Sequence, residues 1–101
     1  MLTLTKSNFD STIAKGKVLI DFYTDWCGYC KLVSPVLEEL STKYADLVTV
    51  AKVDAYAESE IASRYGIEGF PTILLFEDGK EIDRKNGAFP LEVFEEMIGV
   101  S

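Results

Sequence analysis

The sequence predicts an α/β fold: three layers, α/β/α, around a central mixed sheet of four to five strands. Two observations carry this reading. Short apolar runs suited to strands covered on both faces alternate with segments of helical periodicity, and an Asp-Gly turn joins the last two runs as a hairpin. Strands alternating with helices imply parallel β-α-β units, and the hairpin adds an antiparallel pair.

In chain order, an opening strand falls near Leu2 to Leu4 and a helix around Ser7 to Ala14. Val18 to Phe22 is an apolar run broken only by Asp21. Leu32, Val33, Val36, Leu37, Leu40 and Tyr44 then recur at helical spacing, with Glu39 and Lys43 as a favourable pair one turn apart on the polar side. Pro35 falls inside this pattern and predicts a kink. Val48 to Val53 is a second central run, with Lys52 as its polar exception. A helix over Ser59 to Tyr65 closes at Gly66. Ile73 to Phe76 is the third run, and Asp78-Gly79 turns the chain into Lys80 to Lys85. The last helix runs from about Pro90 to Ile98, with Leu91, Phe94 and Ile98 on one face and Gly99 as its stop. The order is βαβαβαββα.

A chain of 101 residues is expected to form a single domain over residues 1–101. Its formal charge of −7 speaks against a nucleic-acid backbone as partner, since phosphate binding needs clustered Lys and Arg. No apolar run has the length of a signal-peptide core or of a membrane span, so a cytoplasmic location away from membranes is the default expectation. With no histidine, imidazole bases, His triads and His-ligated zinc are excluded. Chemistry falls to thiols, carboxylates, amines or phenols.

The two cysteines, Cys27 and Cys30, lie just beyond a strand and at the start of the helix it feeds, where reactive groups of such sheets gather. Two thiols at this spacing close a small ring with little backbone change, and only the first need be exposed. Unpaired N–H groups and the helix dipole stabilise a Cys27 thiolate. A thiol titrating near 8.5 is only about 3% ionised at neutrality, and lowering its pKa to about 7 makes that roughly half. The competing readings are a staple, which in so small a ring constrains the unfolded chain by only about 2 kcal/mol, and half of a thiolate zinc site, which needs two more cysteines.

Alternation puts Val18, Ile20 and Phe22 on one face of their strand and Leu19 and Asp21 on the other. A carboxylate covered there has a raised pKa and suits proton exchange with Cys30. The alternative is that Asp21 caps a turn or reaches solvent. Lys52, on the neighbouring strand, either pairs with Asp21 or extends its amine to water. Gly69-Phe70-Pro71-Thr72, just before the third run, reads by itself as a structural turn.

Together these residues resemble the thioredoxin family over essentially the whole chain. The resemblance rests on Val18-Leu19-Ile20-Asp21-Phe22-Tyr23, on Trp26-Cys27-Gly28-Tyr29-Cys30-Lys31, and on Pro35 and Ala51-Lys52-Val53-Asp54. Tyr65-Gly66-Ile67, Phe70-Pro71-Thr72, Asp78-Gly79 and Asn86-Gly87-Ala88 complete it. It implies a thioredoxin fold and a protein-disulfide reductase with Cys27 as nucleophile, Cys30 as buried resolving thiol, Asp21 as proton acceptor and Lys52 as its modulator. It also implies a cis Pro71, a Phe70 backbone that hydrogen-bonds an extended substrate, and a docking surface that includes Trp26, Gly28, Tyr29, Gly69 and Gly87. No bound cofactor or metal is implied. Electrons would come from NADPH through a thioredoxin reductase, and the clients would be disulfide-containing proteins met by a monomer serving electron transport and redox homeostasis.

Two departures stand out. Gly28-Tyr29 replaces the family's usual Gly-Pro, which frees an N–H beside Cys27 and predicts a more stabilised thiolate and a less reducing protein. Phe70 replaces the usual aliphatic residue before the cis-proline, which bears on substrate preference. The alternative functions are an oxidase or isomerase of the same fold, and a binding subunit indifferent to its cysteines.

Overall fold

Residues 1–100 are described by a computed structural model. The chain runs β1 (Leu2–Thr3), α1 (Phe9–Ile13), β2 (Lys17–Tyr23), α2 (Gly28–Lys43), β3 (Thr49–Asp54), α3 (Ser59–Arg64), β4 (Thr72–Glu77), β5 (Lys80–Asn86) and α4 (Leu91–Met97). This is the predicted βαβαβαββα order, with most boundaries moved by a residue or two. The first helix is shorter than expected, and α2 begins directly after Cys27, at the cysteine turn where its start was expected.

The five strands lie in the order β1-β3-β2-β4-β5. β3 pairs in parallel with β1 and β2, while β4 runs antiparallel to both β2 and β5. Each central strand buries both faces because helices cover both. Val18, Ile20, Phe22, Ala51, Val53, Leu74 and Phe76 pack with Phe9 and Ile13 of α1 and Ile61 and Ala62 of α3. Leu19, Val50, Ile73 and Leu75 pack on the other face with Val33, Leu37 and Leu40 of α2 and Phe94, Met97 and Ile98 around α4. The three-layer reading holds.

Leu32 departs from the expected apolar stripe and stands exposed. It lies in the second turn of α2, next to Val33, whose side chain takes the core-facing position. Pro35 sits within α2 without ending it.

Register decides where the connecting loops meet. Tyr23 at the end of β2 lies beside Asp54 at the end of β3, Phe22 lies beside Thr72 at the start of β4, and Thr72 lies beside Asn86 at the end of β5. The turns after β2, β3 and β5 and the loop entering β4 therefore share one edge of the sheet.

Phe9 is the aromatic centre of the α1/α3 layer, with ring centroids 6.5, 5.6 and 6.1 Å from Phe22, Tyr65 and Phe76. Phe9→Ala is expected to lower stability by about 3–5 kcal/mol, from lost transfer energy plus the cavity left behind. Urea denaturation measures this; a loss under about 1 kcal/mol would mean that the layer collapses around the gap.

Candidate active site

Cys27 is the N-cap of α2, held extended at φ −93° and ψ 115°. Its N–H donates to the Thr24 carbonyl at 3.4 Å, which folds the turn back after β2. Its Sγ accepts the Cys30 N–H at 3.1 Å. That bond belongs to the oxygen of an ordinary N-cap residue; here sulfur takes it, at the positive end of a 16-residue helix. Cys27 and Cys30 are joined as a disulfide with Cα atoms 5.2 Å apart. The two sulfurs differ in access: Cys27 is half-buried, whereas Cys30 is 4% exposed.

Behind Cys30 lies a cavity of about 170 Å³ walled by Asp21, Tyr23, Thr24, Cys30 and Lys52. Asp21 is buried on the α2 side of β2 and reaches neither solvent nor a turn, so the capping alternative falls away. Its Oδ1 and the Thr24 Oγ1 have no protein hydrogen-bond partner, and both residues wall the cavity. Burial pushes the Asp21 carboxyl from 3.8 up to about 7, a rise that the charge of Lys52 restrains. Lys52 sits beside Asp21 in the β2–β3 register, half-buried, with its Nζ 5.6 Å from the Tyr23 ring centroid. It stands on the cavity wall, a position between the two expected ones.

The Phe70–Pro71 bond is cis. The Gly87 N–H donates to the Pro71 carbonyl at 2.9 Å, which ties this loop to the turn after β5, and the Thr72 hydroxyl closes the loop on itself by donating to the Gly69 carbonyl at 2.6 Å. Gly87 holds φ +117°, a conformation that disfavours side chains. At Gly28 and Gly69 an added Cβ would meet nothing within 4 Å, so both backbones face open space. Trp26, Tyr29 and Phe70 are exposed beside these segments. The predicted residues are thus brought to one edge of the sheet, with Asp21 and Lys52 beneath it.

Two neighbours escaped sequence reasoning. Thr24 lines the cavity, and Tyr56 lies edge-on to Trp26 with ring centroids 5.4 Å apart. Neither belongs to a periodic pattern; the available signal was position, just past the carboxyl ends of β2 and β3. Among the described residues, no group of three or more His, Cys, Asp or Glu side chains could hold a metal ion, and no helix is long and apolar enough to cross a membrane.

A family model described as Thioredoxin matches residues 1–99. The chain is 43% identical to the thioredoxin of Chlamydia muridarum over 84 residues, covering 83% of this chain and 81% of that one. It is 42% identical over 88 residues to Bloodstream-specific protein 2 of Trypanosoma brucei brucei; the match takes in 86% of this chain but spans only 18% of that longer protein. A solved structure of Plasmodium falciparum thioredoxin superposes with a TM-score of 0.89 at 31% identity, covering 97% of this chain and 96% of that one. The chain belongs to the thioredoxin family and is a protein-disulfide oxidoreductase, reducing protein disulfides by dithiol–disulfide exchange through Cys27 and Cys30.

Proposed function

We propose that Cys27 is the attacking thiolate and Cys30 the resolving thiol, with Asp21 as the proton acceptor for Cys30 and Lys52 as the modulator of Asp21. The observation that carries this assignment is the asymmetry of the pair: Cys27 caps α2 and has its sulfur on an N–H, while Cys30 is buried against the Asp21 cavity. In the reduced protein, the Cys27 thiolate attacks one sulfur of a client disulfide, and the other client sulfur leaves as a thiolate. Cys30 gives its proton to the Asp21 carboxylate and attacks Cys27 sulfur. The second client thiolate departs, and the Cys27–Cys30 disulfide remains. The client gains the two electrons that the pair loses.

The docking surface in this reading comprises Trp26, Gly28, Tyr29, Gly69, Phe70, Pro71 and Gly87, with the Phe70 backbone, outside the strand ladder, pairing an extended client segment. Re-reduction draws on NADPH through a thioredoxin reductase. The protein works as a monomeric single domain in the cytoplasm, in electron transport and redox homeostasis, without nucleic-acid or membrane partners. Tyr29 favours a second direction of use. It retains an N–H in the first turn of α2, where proline would have none, and so shifts the pair toward oxidase or isomerase behaviour.

Three experiments test these roles. Cys30→Ser is expected to accumulate client proteins on Cys27 as mixed disulfides that reductant releases, and Cys27→Ser to accumulate none; equal trapping by both variants would overturn the division of labour. Tyr29→Pro is expected to raise the Cys27 pKa and to make the potential more negative by on the order of 30 mV, about 1.4 kcal/mol, comparable to one hydrogen bond to a charged group. Identical potentials would remove the inter-cysteine N–H from the account.

Asp21→Asn separates chemistry from stability. It should slow turnover of protein disulfides near neutrality by about tenfold or more. Below about pH 4 Asp21 is neutral in folded and unfolded chains alike; between about pH 4 and 7 only the unfolded chain ionises, so stability falls as pH rises. Above pH 7 the folded chain bears the whole penalty: a rise from 3.8 to about 7, at about 1.4 kcal/mol per pH unit, is at most about 4 kcal/mol. The variant should therefore unfold at higher urea than the parent at pH 8 and at nearly the same urea at pH 3.5. A difference that does not vary with pH would contradict the ionisation of Asp21 as its source.

A further inference from the structure

We propose that Tyr56 is a positioning and specificity residue for disulfide reduction: it orients Trp26 and, with it, forms an aromatic wall that receives a bulky apolar side chain beside the client's cystine. The inference rests on the proposed docking of clients at Cys27. It concerns a residue outside the cysteine turn and outside the cis-proline loop.

The β3–α3 turn that carries Tyr56 is held from several sides. The Asp54 carboxylate accepts the Tyr56 N–H at 3.0 Å and the Ala57 N–H at 3.1 Å. The Ala55 N–H donates to the Tyr23 carbonyl at 2.8 Å, and the Glu58 N–H to the Asp54 carbonyl at 2.8 Å. A turn fixed in this way fixes the Cα–Cβ direction of Tyr56. The phenol ring then stands at 76° to the indole of Trp26, an edge-to-face contact. Trp26 immediately precedes Cys27, so whatever orients the indole shapes the approach to the reactive sulfur.

Both rings remain largely in water, Trp26 at 69% and Tyr56 at 74% exposure. Folding gains little from aromatic area left so open, so the pair is poorly explained as core. Trp26 joins the pair directly to Cys27, its neighbour in the chain. Large amphipathic rings with few rotatable bonds are the side chains that anchor recognition at low entropic cost. The occupant that fits is an extended client segment whose cystine sits on Cys27 and whose neighbouring large apolar side chain lies against the two rings.

The test uses the full-length protein, a synthetic peptide disulfide with Phe next to its cysteine, the same peptide with Ser in that place, and a small aromatic disulfide such as 5,5′-dithiobis(2-nitrobenzoate). Tyr56→Ala is expected to raise KM for the Phe peptide and lower its kcat/KM about threefold to tenfold relative to the small disulfide, with a lesser loss on the Ser peptide. Tyr56→Phe, which keeps the ring, should restore both. Trp26 is the only tryptophan, so its emission reports its own surroundings and should shift in Tyr56→Ala and return in Tyr56→Phe. An unchanged Phe-peptide rate, an equal loss on all three substrates, or unaltered Trp26 emission would each overturn the proposal. A parent protein that reduced the small disulfide but neither peptide would instead overturn the client-docking reading beneath it.

Discussion

The molecule is organised by the junction between the carboxyl end of β2 and the amino end of α2. Backbone donors at a helix start have no intrahelical partner, and here one of them points at sulfur rather than at a hydroxyl or carboxylate oxygen. A cap normally serves the helix; in the proposed mechanism it would serve the reduced protein as well, since an N–H aimed at the Cys27 sulfur would stabilise negative charge there. The local requirement of the helix and the chemical requirement of the proposed nucleophile then coincide. They also set the two sulfurs apart, because the capping residue lies outside the helix and Cys30, in its first turn, faces the core.

The buried side of that junction carries a cost. A carboxyl on a central strand, with an unpartnered oxygen next to an unpartnered threonine hydroxyl, opposes stability at neutral pH. A fold of this size has little stability to spare. The position leaves a carboxyl that burial raises to about 7 and the charge of Lys52 restrains, in the same cavity wall as Cys30, as the proposed proton acceptor requires. Local conflicts of this kind with the rules of burial gather at functional sites, which is the ground for the role proposed for Asp21.

The central elements were legible because burial on both faces leaves a near-continuous apolar run, and Asp21 and Lys52 stood out as interruptions of such runs. The cysteine turn was legible because its spacing carries a mechanism. The boundaries of α1 were not, since a five-residue helix contributes too little periodicity to fix its ends. Nor was the exposure of Leu32, because the adjacent apolar residues Leu32 and Val33 lie on different sides of α2 and only Val33 meets the core. The cis state of Phe70–Pro71 has no signal in the residues alone and entered only through the family resemblance. Tyr56 was silent for a different reason. Its partner is distant in the chain, and only the register that aligns the ends of β2 and β3 brings the two rings together.

That same register distributes the surface unevenly. β5 is the long open edge of the sheet and presents a ladder that another strand could extend. It is crowded with charge: Arg84 pairs with Glu81 at 2.7 Å and also donates to the Tyr65 carbonyl at 2.9 Å, and Lys80, Asp83 and Lys85 lie along the same strand. The pairing with β4 is interrupted by a register shift between Leu75 and Phe76, a further device against edge-to-edge association. At the cysteine end the chemistry reverses. Trp26, Tyr29, Leu32, Tyr56 and Phe70 are left exposed around the turn, at the start of α2, after β3 and before β4. The open edge therefore offers an approaching strand charged side chains and broken geometry, while the exposed aromatic side chains Trp26, Tyr29, Tyr56 and Phe70 gather at the cysteine end. This division between a charged edge and an aromatic end is the feature that the proposed docking of a client at Cys27 uses.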